Sequence, residues 1–421
     1  MDSTTSTAAR TPLDRRLFGL AVGLIGLHVA DDNFLQPEAG TSASDHLLSG
    51  LLPLALLALA YWAYPRLSGA RRGALALFIG PLGIVTGIEA VHYANQVGPS
   101  GDDFTGFLAI PAGLLLLGLG AVTLWRTRRT DGNYAWRYTR RALLGATGAV
   151  VVSLFLMPIS VAYIVTHTAR AVVPESELGA AYEDVSFETG DGLELKGWYV
   201  PSRNGAAVIS FPGRKGPQKP ARMLARHGYG VLVFDRRGEG ESEGEPNIFG
   251  WGGDRDIKAA IRFLQQRPDV EDDSIGGIGL SVGGELMLET AAETDDLKAV
   301  VSEGAGARAF SDEMDEEMSG IDTLLNGAGN AVKTGALTVF TNQAPAANLK
   351  DLVGKIAPRP LMLIAAPNSP NGEKLNRGYY AAAHEPKTLW EIPESGHMGG
   401  MEARPVEYER RVVGFFDDAL L

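Results

Sequence analysis

Five apolar runs fall within the first 166 residues, at 17–30, 47–64, 73–91, 107–125 and 142–165. Four of them reach the roughly 18 to 25 residues that carry a helix across the hydrocarbon core of a bilayer. The first spans about 14 residues and is short by that measure. Arg15 and Arg16 ahead of it would also suit a signal peptide, but His28, Asp31 and Asp32 make a poor cleavage site, so it reads as a true span. The chain is therefore expected to open with a five-span membrane domain, 1–166, followed by a linker over 167–181.

Arginine placement orients these spans, because cytoplasmic loops collect basic residues. Arg15 and Arg16 precede the first run, Arg66, Arg71 and Arg72 lie between the second and third, and Arg126, Arg128, Arg129, Arg137, Arg140 and Arg141 lie between the fourth and fifth. The two intervening loops, "DDNFLQPEAGTSASDH" and "HYANQVGPSGDDFTG", contain no Arg or Lys. This alternation puts the N-terminus in the cytoplasm of a bacterial-type cell and everything after Val165 outside it. Tyr64, Trp125 and Tyr163 at run ends suit interfacial anchoring.

Inside the runs, His28 and Asp31 are three apart, as are Glu89 and His92. That spacing puts each pair on one helical face. Two such faces could meet as a metal site, against the plainer expectation that interfacial polar groups bond one another or water. The plainer reading is preferred, and no metal is expected.

Charge separates the two halves. The first 166 residues hold 12 Lys and Arg against 10 Asp and Glu, so the remainder stands at −14 within a chain total of −12. An acidic second half argues against nucleic acid as a partner. The absence of cysteine rules out disulfides, thiol nucleophiles and thiolate metal sites.

From Tyr182 onward, short apolar runs alternate with helical patterns. "DVSFETGDGLELKGWYV" reads as two strands joined at Gly190-Asp191-Gly192. "AAVISF", "GVLVFD", "SIGGIGL", "LKAVVSE", "RPLMLIAA" and "KTLWEI" follow as further strands with helices between them. Fully apolar strands separated by helices predict a doubly wound, mostly parallel α/β sheet covered on both faces. Chemistry is then expected at the carboxyl ends of its strands.

Gly279-Leu280-Ser281-Val282-Gly283 sits at such an end, strand before and helix after, the context in which G-x-S-x-G forms a strained elbow with an exposed serine. A serine needs a base. Of the seven histidines, His28, His46, His92 and His167 belong to the membrane half or its border, and His227 and His384 lie at helix ends. His397, in the glycine-flanked loop "PESGHMGG" after the last strand, remains as the base. Val282 N–H, at the helix start, is the first expected oxyanion donor. The second is expected after "AAVISF", where Pro212 has no N–H and Arg214 is next in line beyond Gly213. Asp235 is expected to end its strand and pair with Arg236 or Arg237.

The residues "GDGLELKGWYVP", "GYGVLVFDRRGEGESEG", "GIGLSVGGE" and "ESGHMGG", in this order, make the region from Tyr182 to Leu421 resemble the α/β-hydrolase superfamily. Within it, the chain is similar to bacterial serine aminopeptidases and prolyl-oligopeptidase-type hydrolases. The resemblance implies a nucleophile, base and acid at Ser281, His397 and a carboxylate. This chain departs from the family at two places: Pro212-Gly213 replaces a usual His-Gly, and the loop after the seventh strand, "AAPNSPNGEKLN", has no Asp. Glu303, at the end of the neighbouring strand, and Glu373, late in that loop, are both open as the acid. The segment 304–356, with the acidic run 311–318, would be a lid, its charges equally readable as a solvated surface.

The expected protein is an integral plasma-membrane serine hydrolase with an extracytoplasmic catalytic domain over 182–421. It would cleave an ester, or an amide or peptide bond, in a small-molecule or peptide substrate, and need no cofactor. A non-catalytic receptor or assembly module on the same scaffold is the alternative.

Overall fold

The structure is a computed structural model that describes residues 11–99, 101–128, 133–168, 172–309, 311–312, 321–369 and 373–421. The chain divides into two compact units, Met1–Ala169 with Leu324–Asn342, and Arg170–Thr323 with Gln343–Leu421.

Among the described residues of the first unit, five helices are long and apolar enough to cross a membrane: Leu13–Leu35, Leu47–Arg66, Gly69–Asn95, Asp103–Thr127 and Tyr134–Thr166. The first is longer than its apolar run because polar residues near its end are bonded within the unit. The His28 ring nitrogens lie 3.3 Å from Thr105 Oγ1 and 3.2 Å from the Thr86 carbonyl. Asp31 accepts from Thr105 Oγ1 at 2.8 Å and from Gln36 Nε2 at 3.0 Å. With these groups satisfied, the helix continues without exposing them to hydrocarbon. Among the described residues, no three metal-ligating side chains gather. The third and fourth spans meet through glycine. A Cβ on Gly80 would lie 2.9 Å from the Gly113 carbonyl, and one on Gly113 2.5 Å from the Gly80 carbonyl. Small residues allow that backbone approach.

The second unit is built on one eight-stranded sheet, ordered β1-β2-β4-β3-β5-β6-β7-β8. Its strands are β1 (Glu183–Glu188), β2 (Glu194–Val200), β3 (Ala207–Phe211), β4 (Gly230–Phe234), β5 (Ile275–Leu280), β6 (Ala299–Glu303), β7 (Leu361–Ala365) and β8 (Lys387–Glu391). The first two form the antiparallel hairpin expected at Gly190 to Gly192, and β3 to β8 run parallel. Successive residues point to opposite faces, so Ile209 and Leu232 join one core cluster while Val208 and Val231 join the other. Helices Asp254–Gln265 and Val282–Glu293 cover the first face through Ile257, Ile261, Leu286 and Met287, and Pro405–Leu420 covers the second through Tyr408, Val412 and Phe416. Each such fully buried aliphatic or aromatic side chain contributes about 1.5–3 kcal/mol of transfer free energy. The result holds the strand ends, and whatever they carry, on a rigid base.

The segment 304–356, expected as a lid, divides between the two units. Residues 313–320 lie outside the described residues, and with them most of the acidic run. Leu349, Leu352, Val353 and Ile356 are buried in the sheet core. Leu324–Asn342 belongs to the first unit. Apolar content drew each part to a different core.

Candidate active site

β5 ends at Leu280, and the helix Val282–Glu293 begins two residues later. Ser281 between them has φ 53° and ψ −126°, a backbone state that costs a non-glycine residue on the order of 1–3 kcal/mol and survives only when the surroundings enforce it. The flanking glycines show what enforces it. A Cβ on Gly279 would sit 2.2 Å from the Gly283 carbonyl, and one on Gly283 would sit 2.7 Å from the Phe211 carbonyl of β3. The turn is also pinned by Ser281 N–H donating to the Glu303 carbonyl at 2.8 Å.

His397 comes from the loop after β8 and places Nε2 2.9 Å from Ser281 Oγ. Its Nδ1 is 2.7 Å from Glu373 Oε1. Glu373 is 1% exposed and its other oxygen accepts the Ala366 N–H at 2.5 Å, just past the end of β7. An ionised carboxylate only accepts, so Nδ1 carries the proton and Nε2 is left to accept from the serine hydroxyl. The structure thus brings Ser281, His397 and Glu373 into one relay. Glutamate is one methylene longer than aspartate and stands later in the loop, which is how it reaches the imidazole.

Glu303 is placed elsewhere. Its Oε1 accepts the Gly400 N–H at 2.8 Å and its Oε2 the Tyr408 hydroxyl at 2.7 Å. It ties the histidine loop to the last helix instead of bonding His397. Burial pushes its carboxyl pKa up, its bonds to Tyr408 and Gly400 pull it down, and the nearby Glu373 charge adds to the rise. A carboxyl raised in the folded state stabilises most below its unfolded pKa of about 4.3 and loses that contribution as pH rises through the folded value. Glu303→Gln should therefore gain stability relative to wild type as pH increases from about 4.3, read as a widening difference in Tm.

Val282 follows Ser281 and heads the helix, where the first N–H groups lack intrahelical acceptors. Arg214 does not fill the second position. Its N–H donates to Asp235 Oδ1 at 3.1 Å, and its Nε and Nη2 lie 3.0 and 2.6 Å from Asp235 Oδ2. Asp235 correspondingly pairs with Arg214, and not with its sequence neighbours. Arg236 goes to Glu239, and Arg237 to Asp256 and Asp191. The cause is strand adjacency: β3 and β4 are parallel neighbours, so residues following each strand meet across the gap, while adjacent residues on one chain point apart. Arg214 and Asp235 are 3% and 2% exposed. Breaking a buried pair on one side leaves an uncompensated charge at a cost of about 3–5 kcal/mol. Arg214→Ala is expected to lower the thermal midpoint of the detergent-solubilised full chain far more than Arg255→Ala, whose ion pair is exposed; equal shifts would refute the buried-pair account.

The start of the insert is also fixed to this site. Gly306 N–H donates to Glu285, Asn376 Nδ2 to the Ala305 carbonyl, and the Tyr379 hydroxyl to the Gly306 carbonyl. Nothing in the local sequence pattern marked Asn376 or Tyr379 for this role.

Comparison with known proteins places the chain among hydrolases. Residues 161–361 match the family model of X-Pro dipeptidyl-peptidase (S15 family). The uncharacterized protein YfhR of Escherichia coli is 26% identical over 256 residues, 56% of this chain and 81% of that protein. The thiohydrolase aneE of Aspergillus aculeatus is 31% identical over 129 residues, 29% of this chain and 41% of that protein. Among solved structures, the Pyrococcus furiosus esterase Pf2001 aligns with a TM-score of 0.48 at 22% identity, covering 60% of this chain and 98% of its own. The fold and the family match support the α/β-hydrolase superfamily and a hydrolase activity.

Proposed function

We propose that this α/β-type hydrolase is a membrane-anchored serine hydrolase, its catalytic domain outside the cytoplasm, that cleaves an acyl ester through an acyl-enzyme. The observation that carries the reading is the continuous Ser281–His397–Glu373 relay, with bonds of 2.9 and 2.7 Å. Ser281 Oγ attacks the acyl carbon as His397 Nε2 takes its proton, and Glu373 holds the imidazole and stabilises the imidazolium. The oxyanion gathers on Val282 N–H, with the positive end of the helix behind it. His397 then returns the proton to the leaving alcohol, and a water activated the same way releases the acid. An amide or peptide bond is the second substrate class. Glu373 on His397 supplies the carboxylate that the loop after β7 lacks as Asp.

Membranes carrying the full chain should be labelled by a fluorophosphonate probe at Ser281, and His397→Ala should abolish that labelling. A folded wild type that takes no label would overturn the reading. The orientation has its own test, helped by the cysteine-free background. Asp295→Cys, at a side chain 98% exposed, should react with a membrane-impermeant maleimide on intact cells, whereas Arg128→Cys should react only after lysis. The reverse pattern would place the hydrolase domain inside.

A further inference from the structure

The helix Ile321–Thr341 stands between β6 and β7 in sequence, yet it packs with the spans of the first unit. The Phe340 ring meets Tyr163 edge-on at 5.5 Å and His167 at 5.9 Å, and Asn342 Nδ2 donates to the Asp45 carbonyl at 3.2 Å. Together with the first, second, third and fifth spans, this helix lines a cavity of about 640 Å³.

The cavity has a long apolar shaft and one polar end. Leu52, Leu56, Phe78, Leu82, Val332 and Val339 supply apolar side chains to its lining. Asp32, Asn33, Ser49 and His167 gather at one end, where the first and fifth spans finish and the second begins. These groups are already organised. Ser49 Oγ donates to Asn33 Oδ1 at 2.6 Å, and His167 Nε2 lies 3.9 Å from Asp32 Oδ2. Along the second span the lining runs from Ser49 to Ala63, roughly 21 Å at 1.5 Å per residue. That exceeds half of a hydrocarbon core about 30 Å thick.

Apolar walls keep water out, and an empty space of this size would forfeit dispersion contacts along its whole lining. Within a bilayer, hydrocarbon chains surround the unit and can fill it. The volume also falls inside the ~300–1,000 Å³ of ordinary ligand sites. A second helix does not fit, since a helix with its side chains is about 10–12 Å across and the wall on that side is already the insert helix.

We propose that this cavity is a binding site for one long hydrocarbon chain of an amphiphile, with the carboxyl or ester head at the Asp32, Ser49 and His167 end. The proposal does not depend on the Ser281 chemistry. Occupancy would hold the insert helix against the spans, because that helix forms one wall.

The test uses the purified full chain in lipid nanodiscs with a diazirine-bearing palmitic acid, and in parallel with a phosphatidylglycerol carrying the same diazirine chain. Photo-adducts are mapped by peptide mass. Saturable labelling of the 326–341 peptide, competed by unlabelled palmitate, is expected with at least one carrier, and the carrier that saturates at lower concentration identifies the source of the chain. Gly335 lines the cavity and a Cβ on it meets nothing within 4 Å, so Gly335→Phe adds bulk at the lining. It should cut that labelling at least tenfold while adducts at Leu114, exposed on the fourth span, stay unchanged. Ala336→Leu is the milder second variant. Fluorophosphonate labelling of Ser281 in each variant reports that the chain is folded and separates failure of this site from failure of the hydrolase reading. Labelling of 326–341 that neither saturates nor responds to either variant would overturn the proposal, because the space would then be ordinary lipid-facing surface.

Discussion

Ser281→Ala is expected to abolish fluorophosphonate labelling and to lower kcat for a short, water-soluble ester by roughly 10⁴ to 10⁶, with KM nearly unchanged. The hydroxyl is the nucleophile, and alanine leaves the elbow backbone without a reacting atom. Its φ of 53° is no better suited to alanine than to serine, so stability should change little. Because Ser281 and His397 act as a unit, His397→Ala should cost nearly as much, and the double variant scarcely more than either single one. Esterase activity that survives Ser281→Ala in the purified chain would mean that hydrolysis occurs elsewhere in the molecule.

Glu373→Gln should lower kcat by about 10² to 10⁴, whereas Glu303→Gln should stay within about tenfold. The amide at 373 has one acceptor and one donor group. It cannot both accept the Ala366 N–H and accept from His397 Nδ1 through separate oxygens, as the carboxylate does. If the NH₂ faces the imidazole, it selects the tautomer whose Nε2 carries the proton and cannot take another from serine. Glu303 bonds the Gly400 N–H and the Tyr408 hydroxyl, so its amide loses about one net hydrogen bond, worth on the order of 1 kcal/mol or somewhat more. A larger loss at 303 than at 373 would reverse the assignment.

Glu303 and Glu373 show where reading the chain reaches its end. Both follow apolar strands of one sheet and both carry the right chemistry, so pattern alone leaves them equal. The decision lies in the path of the loop after β7, which brings Glu373 back onto the Ala366 N–H, and in Tyr408, more than a hundred residues downstream, which claims Glu303. Arg214 is a similar case. Its N–H is well placed in the loop after β3, but Asp235 stands at the end of the adjoining parallel strand and takes it. The insert helix was legible in composition, since the stretch "NGAGNAVKTGALTVF" has a single charged residue. Reading 304–356 as one lid hid that signal by averaging it with the acidic run.

The sequence by itself determined the five apolar spans, the hairpin and parallel strands, and the placing of Ser281 and His397. Each rests on interactions within a few residues: hydropathy over a span, alternation along a strand, glycines packed around a turn. Tertiary structure alone decided which carboxylate meets His397, that Asp235 and Arg214 neutralise each other, and that Leu324–Asn342 joins the unit of long apolar helices. Those outcomes depend on groups far apart in sequence competing for the same few ångströms, and a buried charge or an apolar face is settled by whichever partner the fold brings within reach.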